Sequence, residues 1–347
     1  MMGSIVRYCM TRNTSRRRFI QAAGGASIVA LAGCAGNGDD TNGEETTEAP
    51  EETTEAPEQT TEEQVTALSW HAGGTGGTYY PLSNEFKTVV EGNSNYRLNV
   101  QSTGASVENV GSLSNGEADF ALIQNDIAYF AKNGEGIEAF EGNQIDTLRG
   151  VATLYPETIT LVTLADSGIT ELADLSGKTI NTGDLGSGTQ VNALQILEAA
   201  GIEDFNEQNA SFSQAADQLR DGDVDASFVV GGWPVGAIED LANTNDIRII
   251  PISGDQRDSV KEAASWFADD TIPGGTYTGV EEDVETVAVQ AMIATRSGLS
   301  AETVEAVTAA IFDNLDELTT KTDFISVDSA QDGMSIELHE GAAAYFG

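Results

Sequence analysis

Val65-Thr66-Ala67-Leu68-Ser69-Trp70, then His71-Ala72-Gly73-Gly74-Thr75-Gly76-Gly77, then Thr78-Tyr79-Tyr80-Pro81-Leu82, reads as a strand, a glycine-rich loop and the start of a helix. Leu82, Phe86 and Val89-Val90 recur at helical spacing, so the helix is expected over residues 78–91. The same order returns about a hundred residues later. Residues 178–181 read as a strand, Gly183-Asp184-Leu185-Gly186-Ser187-Gly188 as a loop, and residues 189–200 as a helix.

Around these two units the alternation continues. Residues 96–101 alternate as a strand, and 106–114 give a helix with Val107, Val110 and Leu113 on one side. Residues 118–124 form a buried strand, and Asp126 is expected to cap a helix running to 132. In the second half, strands are expected at 209–212 and 226–230, with a helix over 214–221 between them. Two βα runs of this kind predict two doubly wound α/β lobes. Residues 158–164 and 285–295 read as long strands joining the lobes, the arrangement a hinged protein with a cleft requires. The expected division is 65–157 with 285–347 for the first lobe and 158–284 for the second. Residues 300–318 supply a last amphipathic helix.

The charge narrows the function. The chain has 347 residues, 56 of them acidic and 16 basic, for a net charge of −40. Such a polyanion repels phosphate backbones, which excludes a nucleic-acid partner. Eleven acids and five arginines precede Val65, so the part after it keeps 45 acidic and 11 basic residues. Acidity spread in this way fits a protein kept soluble in high salt, with an acidic interaction tail as the alternative. Two cysteines and two histidines are too few for a disulfide framework or a Cys/His metal cluster.

The N-terminus reads as an address. Residues 1–33 carry Arg7, Arg12, Arg16, Arg17 and Arg18, no acid, and an apolar run too short to span a bilayer. Ser15-Arg16-Arg17-Arg18-Phe19-Ile20 looks like a twin-arginine export signal, and Leu31-Ala32-Gly33-Cys34 resembles a lipobox. Cleavage before Cys34 and its lipidation would place the protein on the outer face of the cell membrane, held only by that anchor. A chance helix with Cys34 buried is the alternative. Residues 34–64 repeat Glu-Glu-Thr-Thr-Glu-Ala-Pro at 44–50 and 51–57, and read as an extended acidic tether.

The remaining chemistry is that of binding. The loop before Thr78 permits close backbone approach, and the N–H groups at a helix start favour an anion. No Lys follows its glycines, so it is not a P-loop, and Tyr79 stands where a dinucleotide fingerprint has its last Gly. A tight turn without a ligand remains the competing account. In the second loop Ser187 and Thr189 offer hydroxyls beside another helix start, a cradle for a carboxylate. Either residue as a simple N-cap is the alternative. No nucleophile elbow, zinc-protease motif, Cys-x-x-Cys or calcium loop occurs, so no catalytic residue, metal or cofactor is expected. His71 reads as a strand-end surface residue, with contact to a ligand beside the glycine-rich loop as the alternative.

Thr75-Gly76-Gly77-Thr78-Tyr79-Tyr80-Pro81 resembles the signature of TAXI proteins, solute receptors of tripartite ATP-independent periplasmic (TRAP) transporters. The resemblance runs through Gly116-Glu117-Ala118-Asp119-Phe120, Gln124-Asn125-Asp126 and Tyr155-Pro156-Glu157. It continues through Asp174-Leu175-Ser176-Gly177-Lys178, Gly186-Ser187-Gly188-Thr189, 221–226 and Leu338-His339-Glu340-Gly341-Ala342. It implies a periplasmic-binding-protein-like fold that delivers a small organic acid, such as glutamate or a dicarboxylate, to a TRAP-type permease. It places Thr75, Gly76, Gly77, Thr78, Tyr79 and Tyr80 on the ligand, with Gln124, Asp126 and Glu157 nearby. Ser187, Gly188, Thr189 and Gln190 would bind from the second lobe. Trp233 stands where the family has a small residue, and in the cleft it would shrink the pocket or stack on the solute. A sensory receptor signalling to a membrane kinase, and a cleft enzyme acting on a carboxylate, are the alternative readings.

Overall fold

The computed structural model describes residues 65–347; the expected signal, Cys34 and the tether lie outside the described residues. Three parallel strands open the fold: β1 (Thr66–His71), β2 (Tyr96–Gln101) and β3 (Phe120–Gln124), in the order β2-β1-β3. Helices α1 (Tyr79–Asn93), α2 (Ser106–Asn115) and α3 (Asn125–Asn133) connect and cover them. Leu82, Phe86, Val89 and Val90 of α1 are all buried, as their spacing requires.

The second parallel group is β5 (Thr179–Asn181), β6 (Asn206–Gln208) and β7 (Ala226–Gly231), interleaved with α4 (Gly188–Ala199) and α5 (Phe212–Asp221). Between the groups run β4 (Leu148–Leu164) and β10 (Val284–Arg296), antiparallel to each other. They make one continuous path, β2-β1-β3-β10-β4-β7-β5-β6, with β8 (Ile247–Ile250) on β4 and β9 (Ala268–Ile272) on β10. Helices α6 (Gly236–Ala242), α7 (Gly254–Ala263), α8 (Ala301–Phe312) and α9 (Glu340–Phe346) complete the described α-helices, with short 3-10 turns at Leu172–Leu175 and Leu315–Glu317.

The two long strands serve two cores. Val151, Leu154 and Tyr155 of β4 pack with Trp70, Phe86 and Phe120, whereas Ile159 and Leu161 pack with Ile180, Ile196 and Phe228. On β10, Val287 and Val289 belong to the second core, while Ala291 and Ile293 belong to the first. Each strand therefore changes lobes in mid-course, near Pro156–Thr158 and near Gln290, where the β10–β4 register also shifts. This is a two-lobed α/β fold with crossing strands as its hinge.

The lobes are closed on each other. Asn192 Nδ2 of α4 donates to Asp126 Oδ2 of α3 at 2.8 Å, a buried contact. Trp266 stands edge-on to Phe130, ring centroids 4.7 Å apart.

Several sequence expectations shift. The strand expected at 209–212 lies at Asn206–Gln208, and α5 already starts at Phe212. The reason is a capping box: Ser211 accepts from the Gln214 N–H and the Gln214 side chain returns to Ser211. The last amphipathic helix stops at Phe312, short of 318. Asp126 sits inside the first turn of α3 rather than at its cap. No described helix is long and apolar enough to cross a membrane.

Candidate functional site

The cleft lies between the start of α1 and the end of β3 on one side and the start of α4 on the other. It holds some 520 Å³ of unfilled space, part of it open to solvent. Gly73, Gly74, Gly76, Gly77, Thr78 and Tyr79 line it from the first glycine-rich loop. Gly104, Ala105, Ser106, Gln124 and Glu157 complete that lobe's wall, and Asp184, Ser187, Gly188, Thr189, Phe212 and Val230 form the opposite one. Not one of these residues is basic.

Glu157 forms the floor. It sits on β4 where the strand passes between lobes and is only 3% exposed. Tyr79 Oη donates to its Oε2 at 2.9 Å, and Tyr155 Oη to its Oε1 at 3.4 Å. Burial pushes the Glu157 carboxyl up to about 8, against the opposing hydrogen bonds from Tyr79, Gln124 and Tyr155. The nearby Asp126 carboxyl adds to the rise. Burial likewise raises Asp126 to about 6, offset in part by Asn192 and by the backbone N–H groups of Asp126 and Ile127. Burial first, and then the charge of Glu157, keeps the Tyr79 and Tyr155 hydroxyls well above their ordinary range.

The facing wall is a helix start. Ser187 is the N-cap of α4, and its Oγ accepts from the Gln190 N–H at 3.1 Å. Gln190 Oε1 takes the Gly186 N–H at 2.9 Å while its Nε2 donates to Glu207, so this side chain braces the loop. Gly188 comes so close to the first lobe that a Cβ there would stand 1.6 Å from Gln124 Oε1 and 3.0 Å from Ser106 Oγ. Only glycine lets the two lobes meet at this point without displacing a buried side chain. Gln124 Oε1 itself is buried without a hydrogen-bond partner among the described residues.

The first glycine-rich loop is tied to the second lobe by hydrogen bonds. The Gly76 carbonyl accepts from the Ala237 N–H of α6 at 3.1 Å, and Thr78 Oγ1 donates to the Gly232 carbonyl at 3.1 Å. These glycines both line the cleft and dock it against the second lobe.

The structure thus brings Gly76, Gly77, Thr78, Tyr79, Gln124, Glu157, Ser187, Gly188 and Thr189 around one cavity. Five other sequence candidates stand apart from its lining. Thr75 is exposed, and Tyr80 packs against the first core. Asp126 lines a groove on the far side of the hinge strands with Trp266 and Asn125. Gln190 braces its own loop, as described above. Trp233 packs edge-on to Phe324 at 6.2 Å and lies under the Lys321 ammonium at 5.1 Å, so it neither narrows the pocket nor stacks in it.

His71 is buried rather than a surface residue, and burial lowers its pKa. His339 caps α9, its Nδ1 accepting from the Gly341 N–H. Sequence reasoning missed Tyr155 as a partner of Glu157. The strand period of two puts residues 155 and 157 on one face and would have found it. Ala105 was also missed; it lines the cleft with φ of 70°, a strained position for a residue with a side chain.

A sequence model described as the NMT1-like family matches residues 71–347, nearly the whole described chain. This chain belongs to the NMT1-like family. A Haloferax volcanii protein named as an ABC transporter anion-binding protein is 30% identical over 192 residues, 54% of each chain. The match spans about half the length of that relative. Among solved structures, the substrate binding protein of an amino acid ABC transporter aligns with a TM-score of 0.44 at 14% identity, over 74% of this chain and 96% of its own. An ancestral arginine-binding protein bound to arginine aligns with a TM-score of 0.45 at 15% identity, over 75% of this chain and 96% of its own.

Proposed function

We propose that this member of the NMT1-like family is an extracytoplasmic solute receptor that closes its cleft on a small organic acid, a carboxylate or an amino acid such as glutamate. The observation that carries the reading is the meeting of Gly188 at the start of α4 with Gln124 at the end of β3. That contact puts the free N–H groups of a helix start inside a cleft built from both lobes. Binding rather than catalysis fits a site whose described lining holds no Cys, His, Lys or Arg. Residues 65–157 with 291–347, and 158–290, are the two bodies whose closure traps the solute, since Val287 and Val289 pack in the second core and Ala291 and Ile293 in the first. A thermal-shift screen of organic and amino acids in molar salt tests this: a solute at 100 times its Kd stabilises by about 2.7 kcal/mol. An unmoved melting temperature across carboxylates and amino acids contradicts the reading.

The partner is a membrane permease. The resemblance of Thr75–Pro81 to the TAXI signature supports a TRAP-type permease driven by an ion gradient. The name of the Haloferax volcanii relative supports a second reading, an ATP-driven permease. Solute uptake by cells that survives ATP depletion but collapses with the ion gradient decides for the first; the reverse decides for the second. The arginine-rich segment and Leu31-Ala32-Gly33-Cys34 support export and a lipid anchor at Cys34. Mass spectrometry of membrane-derived protein should then show no peptide from residues 1–33.

A further inference from the structure

A cleft that receives an anion ordinarily opposes it with a cation, and this one has none among its described lining residues. Its charged lining groups are Glu157 on the floor and Asp184 at the rim, both carboxyls. A solute carboxylate held at the start of α4 would share a closed, poorly hydrated space with Glu157. Two negative charges in such a place repel strongly, because little water remains to screen them.

We propose that Glu157 meets the solute anion as a neutral carboxylic acid, donating a hydrogen bond where other sites place a cation, so that in alkaline solution each solute captured carries in one proton. The proposal rests on the reading of the cleft as the site of a small organic acid. The groups hydrogen-bonded to Glu157 or nearest it in charge fit the proposal. Tyr79 from α1 and Tyr155 from β4 present hydroxyls, which accept or donate equally well. Gln124 from β3 is neutral, and Asp126 from α3 is a further acid that discourages ionisation. Among the described residues, the side chains that act most on this carboxyl are Tyr79, Gln124, Asp126 and Tyr155, none of them a cation, and the Lys321 ammonium beyond Tyr155 donates to the Trp233 carbonyl instead. Its ordinary carboxyl range is left far behind, up to about 8, before any anion arrives. An anion beside it raises that value further, and linkage then makes binding take up a proton wherever free Glu157 is ionised. A solute ammonium group in the same place would do the opposite and expel the proton.

Infrared difference spectra of wild type against Glu157→Gln, with no solute added, read the state of this carboxyl. The expected result is a protonated carbonyl band at pH 6.5 that fades as pH rises through about 8. Tyr79→Phe removes a hydrogen bond that favours the ionised form, so the midpoint should move up in that variant, which keeps Glu157 in place. Calorimetry with succinate at pH 9, in two buffers of different ionisation heat, counts protons. Uptake approaching one per succinate is expected in wild type and none in Glu157→Gln. Succinate affinity should fall by about tenfold per pH unit above pH 8. An ionised carboxyl at pH 6.5, or proton release on binding, overturns the proposal. Failure of succinate and every other organic acid to bind would instead remove the receptor reading, while the infrared titration still decides the state of Glu157.

Discussion

Gly188 of α4 and Gln124 of β3 meet across the cleft with no room for one more carbon: a Cβ on Gly188 would lie 1.6 Å from Gln124 Oε1. Both residues are buried, and they belong to different lobes. The closed form is therefore written into a single missing side chain. Overpacking such a contact costs about 1–3 kcal/mol, and here it can be relieved by opening the hinge. Gly188→Ala should then weaken solute binding by roughly 5- to 150-fold and enlarge the radius of gyration of the solute-bound protein in X-ray scattering. Relief by a shift of Gln124 instead is tested directly by Gln124→Ala paired with Gly188→Ala. The double variant should recover the closed dimensions, and a double variant as open as the single one would show that the contact does not gate closure.

Ser187 and Thr189 sit two residues apart and should behave oppositely. The Ser187 hydroxyl already caps α4 by accepting the Gln190 N–H. Ser187→Ala should therefore cost about 1 kcal/mol of solute-free stability. The Thr189 hydroxyl makes no hydrogen bond to another described side chain or backbone group, although the residue is buried against the cleft. Thr189→Val should leave the solute-free melting curve nearly unchanged and weaken binding about tenfold or more, the loss of a bond to a charged group. Melting curves and calorimetry of the two variants, side by side, check the contrast. Equal loss of stability in both would assign both hydroxyls to the fold.

The surface predicts a salt requirement. The 45 acids and 11 bases after Val65 leave most carboxylates without a cation, and the described ion pairs, such as Arg257 with Asp269 and Glu285 or Arg296 with Asp119, are half-buried or exposed. Salt relieves the repulsion by screening, with a Debye length of about 3 Å at 1 M. Melting temperature should climb steeply from low to molar salt; a flat profile would contradict this account.

What the residues disclose in advance depends on how local the cause is. The helix α1 is legible because Leu82, Phe86, Val89 and Val90 keep one face of a 3.6-residue period, and all four are buried. The first half of β4 is not, because Val151-Ala152-Thr153-Leu154-Tyr155 is covered on both faces and shows no alternation. The same burial hides the site's central fact. Glu157 follows Pro156 in a stretch that reads as a lobe boundary, and only the folded chain shows two tyrosines closing on its carboxyl. Trp233 fails for the reverse reason. Its destination is set by Phe324 and Lys321, some ninety residues away in a C-terminal segment with little regular structure.

Glu157 and Asp126 also give the protein an unusual dependence of stability on pH. Most folded acids are paired, so their pKa values drop and acid unfolds the protein. These two rise instead, to about 8 and about 6, chiefly because burial removes water from them. Between its unfolded value near 4.5 and its folded value near 8, Glu157 keeps a proton in the folded chain that the unfolded chain has released. Stability from this group is therefore full below about pH 4.5 and is lost as pH rises through about 8, at up to about 1.4 kcal/mol per unit. Asp126 adds the same sign over a lower window, from 3.8 to about 6. The diffuse surface charge also favours lower pH, so the wild-type slope alone does not isolate the pair. Glu157→Gln does, since it keeps the shape and removes the titration. In molar salt, denaturant unfolding at pH 5, 6.5 and 8 should show wild type losing a few kcal/mol more than Glu157→Gln across that range. Asp126→Asn should flatten only the portion below pH 6. Parallel slopes for wild type and Glu157→Gln would mean that this carboxyl ionises freely in the fold, and that its tyrosines, not its proton, hold the cleft floor together.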